Sequence, residues 1–219
     1  MSGVTSLAAV SEALGFRHRF VPAKTPGNAA TVVLLHGTGG DENDLISFGD
    51  AIAPGAALLS PRGKVLENGS PRFFRRLGEG LFDPDEVRTR AFELARFVGD
   101  AVNAYALDES RIFALGYSNG ANIASTIMLL TPSLFRGAIL FRPMVVYEPE
   151  SESDLTGHSV FISAGRLDAV VPSSDPDRLL RIFAAHKADV TLRWQVAGHD
   201  LAPADIGDAA RWYEMQSAH

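Results

Sequence analysis

Ser118 stands in the stretch Gly116-Tyr117-Ser118-Asn119-Gly120, between an apolar run at 111–115 and another at 121–128. The first run reads as a buried strand and the second as a buried helix. A serine on so tight a turn needs small residues two before and two after it, so that strand and helix can approach. Its hydroxyl is then held clear of the backbone, above a helix N-terminus that favours the negative charge of acyl transfer. The expected chemistry is nucleophilic attack on a carbonyl carbon. The five-residue pattern alone recurs by chance in roughly one chain in fifteen at average Gly and Ser usage. Its weight therefore depends on partners elsewhere in the chain.

A strand, a G-x-S-x-G turn and a helix together resemble the nucleophile elbow of α/β-hydrolases, whose chain order is Ser, acid, His. Asp168 is the acid candidate: Ser159-Val160-Phe161-Ile162-Ser163-Ala164 is a short apolar strand, and Asp168 follows its C-terminal end. His199 is the base candidate, on the loop after the alternating strand Val190-Thr191-Leu192-Arg193-Trp194-Gln195-Val196. Open α/β sheets place ligands at the carboxyl ends of their strands, so Ser118, Asp168 and His199 can converge on one rim. The plainer alternatives are that Asp168 opens a turn before Val171-Pro172 and that His199 is an exposed loop histidine. Of the other histidines, His18 lies in an alternating segment expected to be exposed. His158 precedes a strand, His186 nears a helix C-terminus where a cation suits the dipole, and His219 is the last residue.

Thr31-Val32-Val33-Leu34-Leu35 reads as a buried parallel strand running into His36-Gly37-Thr38-Gly39-Gly40-Asp41. In the α/β-hydrolase arrangement, donors to the oxyanion come from this loop and from the residue after the nucleophile. The expected donors are the backbone N–H groups of Thr38 and Asn119. A phosphate-binding loop is excluded, because Gly39-Gly40 is followed by Asp41-Glu42 rather than by Lys. A metal site on Asp41, Glu42 and Asp44 is the other alternative. More simply, Asp44 is the N-cap of a helix starting at Leu45, and Asp41 and Glu42 are a solvated loop face. His36 is expected to brace the loop through hydrogen bonds.

Strand-like and helix-like segments alternate along the chain, which implies an α/β fold with a mostly parallel central sheet and helices on both faces. Residues 16–21 suit an edge strand, 45–52 a short helix, 56–59 a strand, and 137–141 and 159–163 further strands. The segment 60–81 reads as long and irregular, aromatic and basic, and is expected to be a substrate-side flap. Asp83 caps the longest helix, Pro84 fits its first position and Glu86 completes a capping box. Val87, Ala91, Leu94, Ala95, Val98 and Val102 form its buried stripe. Helices are also expected at 176–185 and 203–215.

Together these residues resemble the phospholipase/carboxylesterase branch of the α/β-hydrolase superfamily, which includes small bacterial carboxylesterases and acyl-protein thioesterases. The likeness runs from about Thr31 to about Trp212. It rests on Leu35-His36-Gly37-Thr38-Gly39-Gly40-Asp41-Glu42, the elbow, Asp168-Ala169-Val170-Val171-Pro172 and Gly198-His199. Pro61-Arg62-Gly63, Pro71-Arg72-Phe73-Phe74-Arg75-Arg76 and Phe141-Arg142-Pro143-Met144 are similar to a bacterial subgroup linked to hydroquinone and aromatic-compound resistance. That subgroup commonly has a second proline after Arg-Pro-Met; here Val145-Val146-Tyr147 follows. The related dienelactone hydrolases use a cysteine nucleophile, which this chain lacks.

The resemblance implies an α/β-hydrolase fold with little or no cap domain, triad roles for Ser118, Asp168 and His199, and oxyanion roles for Thr38 and Asn119. It implies a serine carboxylesterase acting on small-molecule esters, short- to medium-chain or aromatic, without cofactor or metal. The alternatives are an acyl-thioesterase or lysophospholipase, or a non-catalytic ligand-binding module on the same fold. Arg72, Phe73, Phe74, Met144, Val170 and Leu201 are the expected pocket residues. Relatives often dimerise, so a homodimer is open to this chain.

With 219 residues the chain suits one domain, its first 15 residues expected to be flexible. A net charge of -6 argues against a nucleic-acid surface. Arg72, Arg75 and Arg76 nonetheless form a local basic cluster that could attract an anionic substrate group. With no cysteine there are no disulfides and no thiolate chemistry. No signal-peptide pattern or membrane-length apolar run is present, so a cytoplasmic location is expected.

Overall fold

The computed structural model describes residues 10–24, 30–78, 80–151 and 153–218. Its strands are β1 (Val10–Ser11), β2 (His18–Val21), β3 (Thr31–Leu35), β4 (Ala57–Pro61), β5 (Val65–Glu67), β6 (Ser70–Arg72), β7 (Arg76–Gly78), β8 (Leu81–Phe82), β9 (Ile112–Tyr117), β10 (Gly137–Phe141), β11 (Ser159–Gly165) and β12 (Asp189–Gln195). The helices are α1 (Ile46–Ile52), α2 (Pro84–Tyr105), α3 (Asn119–Leu130), α4 (Asp175–Ala185) and α5 (Pro203–Ser217). Eight strands form one sheet in the order β1-β2-β4-β3-β9-β10-β11-β12. β1, β2 and β4 pair antiparallel at one edge, and every other pairing is parallel.

Side chains alternate across the sheet as the strand pleat requires. Val33, Leu35, Ala138, Leu140, Val160 and Ile162 face a core closed by α2, α3 and α4. Val32, Leu34, Ile139, Phe141 and Phe161 face a second core closed by α1 and α5. Both faces of the parallel strands are therefore covered, which is why their sequences read as nearly unbroken apolar runs. The chain lays β4 on one side of β3 and then crosses to lay β9 on the other. The crevice at the carboxyl ends of β3 and β9 is thus the topological switch point, where this architecture takes its ligands.

Several expectations change in the structure. The segment 60–81 is not irregular: β5 pairs with β6 and β7 with β8. The first ribbon turns on Asn68-Gly69, both at positive φ (51° and 83°), the geometry of a two-residue hairpin loop. His18 is buried, with Nδ1 2.8 Å from the Phe16 carbonyl and Nε2 2.6 Å from the Tyr105 hydroxyl. Asp44 is not a cap; α1 starts one residue later than expected, and Leu45 holds the cap position. Glu42 is no solvated face but is wholly buried, taking hydrogen bonds from Arg17 (2.9 Å) and Arg62 (2.5 Å). Burial works to raise its carboxyl, yet those guanidinium bonds and a backbone amide hold it below the usual range. On α2, Asp83 does cap, accepting from the amides of Asp85 (3.0 Å) and Glu86 (3.5 Å), while the Glu86 carboxylate faces Arg90 at 3.8 Å.

Candidate active site

The elbow is set by steric contact. β9 ends at Tyr117 and α3 begins at Asn119, so Ser118 alone makes the reversal, at φ 52° and ψ −114°. That conformation strains any residue with a Cβ, by about 1–3 kcal/mol. A Cβ on Gly116 would stand 2.6 Å from the Ala121 amide nitrogen, and one on Gly120 would enter the Leu35 carbonyl at the end of β3. The two glycines therefore allow β3, β9 and α3 to meet beneath the serine.

The three candidate groups, drawn from three separate strand ends, form one hydrogen-bonded chain. His199 Nε2 lies 2.9 Å from Ser118 Oγ, and its Nδ1 lies 2.9 Å from Asp168 Oδ2. The other Asp168 oxygen accepts from the Val170 (2.8 Å) and Val171 (3.1 Å) amides. Burial acts to raise the Asp168 carboxyl. The bonds from His199, Val170 and Val171 outweigh it, and the group sits below the usual carboxylate range. An ionised Asp168 in this place fixes the imidazole with Nδ1–H toward the acid and Nε2 free to take a proton from Ser118.

Thr38 and Asn119 line the same cavity of about 230 Å³ as Ser118 and His199. The loop carrying Thr38 is tied down on both sides. His36 is buried, donates from Nδ1 to the Gly37 carbonyl (2.6 Å) and accepts at Nε2 from the Gly63 amide (2.9 Å). Burial lowers its pKa, and accepting that amide proton needs the neutral ring. Gly39 N–H reaches the Pro71 carbonyl at 2.9 Å, which fastens the loop to the first ribbon.

Of the expected pocket residues, Arg72, Met144 and Val170 line this cavity. Phe73, Phe74 and Leu201 do not. Phe73 turns into the core, where its amide donates to Asn119 Oδ1 (2.8 Å) and its ring packs on His36. Phe74 is fully buried and meets Phe82 edge-on at 5.5 Å; of the two, Phe82 reaches the cavity. Leu201 packs against the core on the opposite face of the sheet, because the chain dives there to start α5. Tyr117, Asn122, Arg76 and Gly80 complete the lining with residues not singled out as pocket-formers from sequence. Among the described residues no three His, Cys, Asp or Glu side chains gather to hold a metal.

Sequence reasoning also missed the clamp behind His199. Arg142 follows β10 at φ 53° and is fully buried. Its Nε donates to the Gly198 carbonyl (2.9 Å) and its Nη2 to the Asp200 carbonyl (3.0 Å), so it holds the loop on both sides of His199. Asp205, also fully buried, takes a two-pronged pair from Nη1 and Nη2 at 2.8 Å each, and a further bond from the Ser163 hydroxyl. The signal available in sequence was an arginine directly after an apolar strand and an aspartate in the first turn after Pro203.

The family model described as Phospholipase/Carboxylesterase matches residues 17–212. The chain belongs to the phospholipase/carboxylesterase family. It is 42% identical over 183 residues to MhqD of Bacillus subtilis (strain 168), covering 84% of this chain and 92% of that protein. The crystal structure of a Bacillus cereus carboxylesterase superposes with a TM-score of 0.88 at 39% identity, over 92% of this chain and 95% of that one. A carboxylesterase from Mesorhizobium loti gives 0.89 at 31% identity, over 94% and 98%. The mostly parallel sheet with helices on both faces is the fold these esterases share, and a hydrolase acting on esters is the class to which family and neighbours assign the chain. Among the described residues no helix is long and apolar enough to cross a membrane.

Proposed function

We propose that this chain is a serine carboxylesterase that cleaves small esters through an acyl-enzyme. One observation carries the reading: a single imidazole, His199, stands 2.9 Å from both Ser118 Oγ and Asp168 Oδ2. Ser118 Oγ attacks the ester carbonyl while His199 Nε2 takes its proton. The backbone N–H groups of Thr38 and Asn119, with the α3 N-terminus, stabilise the oxyanion. His199 returns the proton to the departing alcohol. Water, activated by the same imidazole, then attacks the acyl-enzyme and releases the acid and Ser118. Asp168 stays ionised throughout and stabilises the transient imidazolium.

The cavity is smaller than the roughly 300–1,000 Å³ of pockets for drug-sized ligands, and its apolar wall includes Phe82, Met144 and Val170. Short- to medium-chain acyl groups or a single aromatic ring are the substrates that fit. A chain with no cysteine does not depend on an oxidising compartment, and the cytoplasm is the location proposed for it. The test is a panel of aryl esters and acyl-thioesters of graded chain length, run on the wild type and on Ser118→Ala. Short and medium oxygen esters are cleaved fastest and Ser118→Ala is inactive. Preference for long acyl-thioesters, or full activity without Ser118, overturns the reading.

A further inference from the structure

The cavity beside Ser118 is electrically lopsided. Two guanidinium groups, Arg72 and Arg76, line it, and among the described residues no Asp or Glu does. One carboxylate outside the lining, Glu67, serves both: it is 3.4 Å from Arg72 Nε and 2.6 Å from Arg76 Nη2. Arg76 is open to solvent, whereas the Arg72 side chain is only 5% exposed. A buried guanidinium is held where desolvation is costly. Burial lowers its pKa against the opposing pull of Glu67.

The hydrogen bonds leave this wall with donors to spare. Arg72 Nη1 donates to Thr38 Oγ1 (2.5 Å) and Nε to the Phe74 carbonyl (3.1 Å), and Nη2 makes no hydrogen bond among the described residues. Asn122 Oδ1 accepts from the Met144 amide (2.7 Å), which fixes the flip of the Asn122 side chain and leaves its Nδ2 without a hydrogen bond among the described residues, in a residue that lines the cavity. On Asn119, Oδ1 accepts from the Phe73 amide, and the buried Nδ2 has no hydrogen-bond partner among the described residues. A buried cation beside a side-chain amide presenting N–H is the complement of a planar, two-oxygen anion.

We propose that Arg72, with Asn122 and the rim cation Arg76, forms a subsite for a carboxylate carried by the ester substrate, so that the preferred substrates are monoesters of small dicarboxylic acids. This rests on the esterase reading and specifies its substrate. Hydrolysis of such a monoanion consumes one water and yields the alcohol, the dicarboxylate dianion and a proton; the bond broken is the ester acyl C–O bond.

The experiment compares two esters of nearly equal shape, monoethyl succinate and ethyl 4-methylpentanoate, by proton release at constant pH. Wild type favours the succinate monoester by about tenfold to hundredfold in kcat/KM, the scale of one charge-assisted hydrogen-bond pair. Arg72→Met brings the ratio near one. Asn122→Asp, which keeps the acceptor for Met144 but adds a negative charge, inverts it. Because each result is a ratio within one protein, partial misfolding of a variant leaves it readable. Equal rates in the wild type refute the subsite while leaving the esterase standing. Equal slowing of both esters by Arg72→Met shows a merely structural role and also refutes it. Turnover of neither ester by a wild type that cleaves short aryl esters refutes the subsite alone; turnover of no ester at all removes the esterase reading as well.

Discussion

Arg142→Met removes a guanidinium from a site where it and its partner Asp205 are both fully buried. In the wild type, burial works to raise the Asp205 carboxyl, but bonds from Arg142, Ser163 and the Ala202 amide hold it below the usual range. A depressed carboxyl contributes stability that is present above about pH 4 and is lost as pH falls through its folded value. Without Arg142, burial prevails and the carboxyl rises above its unfolded value, so the protonated form is the one that folds well. The variant's deficit is therefore greatest near pH 8 and shrinks toward pH 5. Leaving one buried charge unpaired costs about 3–5 kcal/mol, roughly 6–20 °C of melting temperature for a chain of this size. Turnover falls as well, by about 10²-fold, because the Gly198 and Asp200 carbonyls lose the donors that hold His199 in line. The double variant Arg142→Met/Asp205→Asn recovers at least half of the melting loss and little of the turnover. Thermal melts at pH 5 and pH 8, with initial rates on a short aryl ester, check each point. A melting point within about 2 °C of wild type at pH 8, a deficit that grows on acidification, or unchanged turnover excludes this role for Arg142.

Four further outcomes follow from the same geometry. Ser118→Gly melts about 2–4 °C above Ser118→Ala, because glycine relieves roughly 1 kcal/mol of strain at φ 52°, and both are inactive on an ester panel. Asp168→Asn keeps the fold but lowers kcat by roughly 10³–10⁴-fold, since the imidazole no longer holds the right tautomer; a loss under tenfold in initial rates contradicts the role given to Asp168. Gly120→Ala forces a methyl group into the Leu35 carbonyl and costs about 3 kcal/mol or more, visible as loss of soluble protein or a drop of several degrees in a melt. Asp168 is held below the usual carboxylate range, so its own protonation removes activity only below about pH 4, as a pH–rate profile would read.

The sheet and the positions of Ser118, Asp168 and His199 were legible because each depends on a local pattern. Apolar runs mark the buried strands, and each candidate leaves a strand end within four residues, so the parallel topology alone brings them to one rim. The Asn68-Gly69 hairpin was also legible, but the aromatic and basic residues around it drew attention to the segment as a flap. What stayed hidden depends on pairing across the fold. Arg142 and Asp205 are 63 residues apart, and Glu42 meets Arg17 and Arg62 from 25 and 20 residues away. A charged residue looks solvated until its partner is known. Orientation was the other gap. Phe73 and Phe74 sit next to cavity-lining Arg72, yet a turn in the backbone sends both rings into the core, and Phe82 on the neighbouring ribbon takes the place expected of them.

In the proposed mechanism Ser118 carries the acyl group and His199 activates it. A fluorophosphonate added to the wild type, with the adduct mapped by peptide mass spectrometry, tests it most directly. One site is modified, Ser118, and labelling is at least 10²-fold slower in His199→Ala. A label found on another residue, or one that reaches Ser118 equally fast without His199, contradicts it.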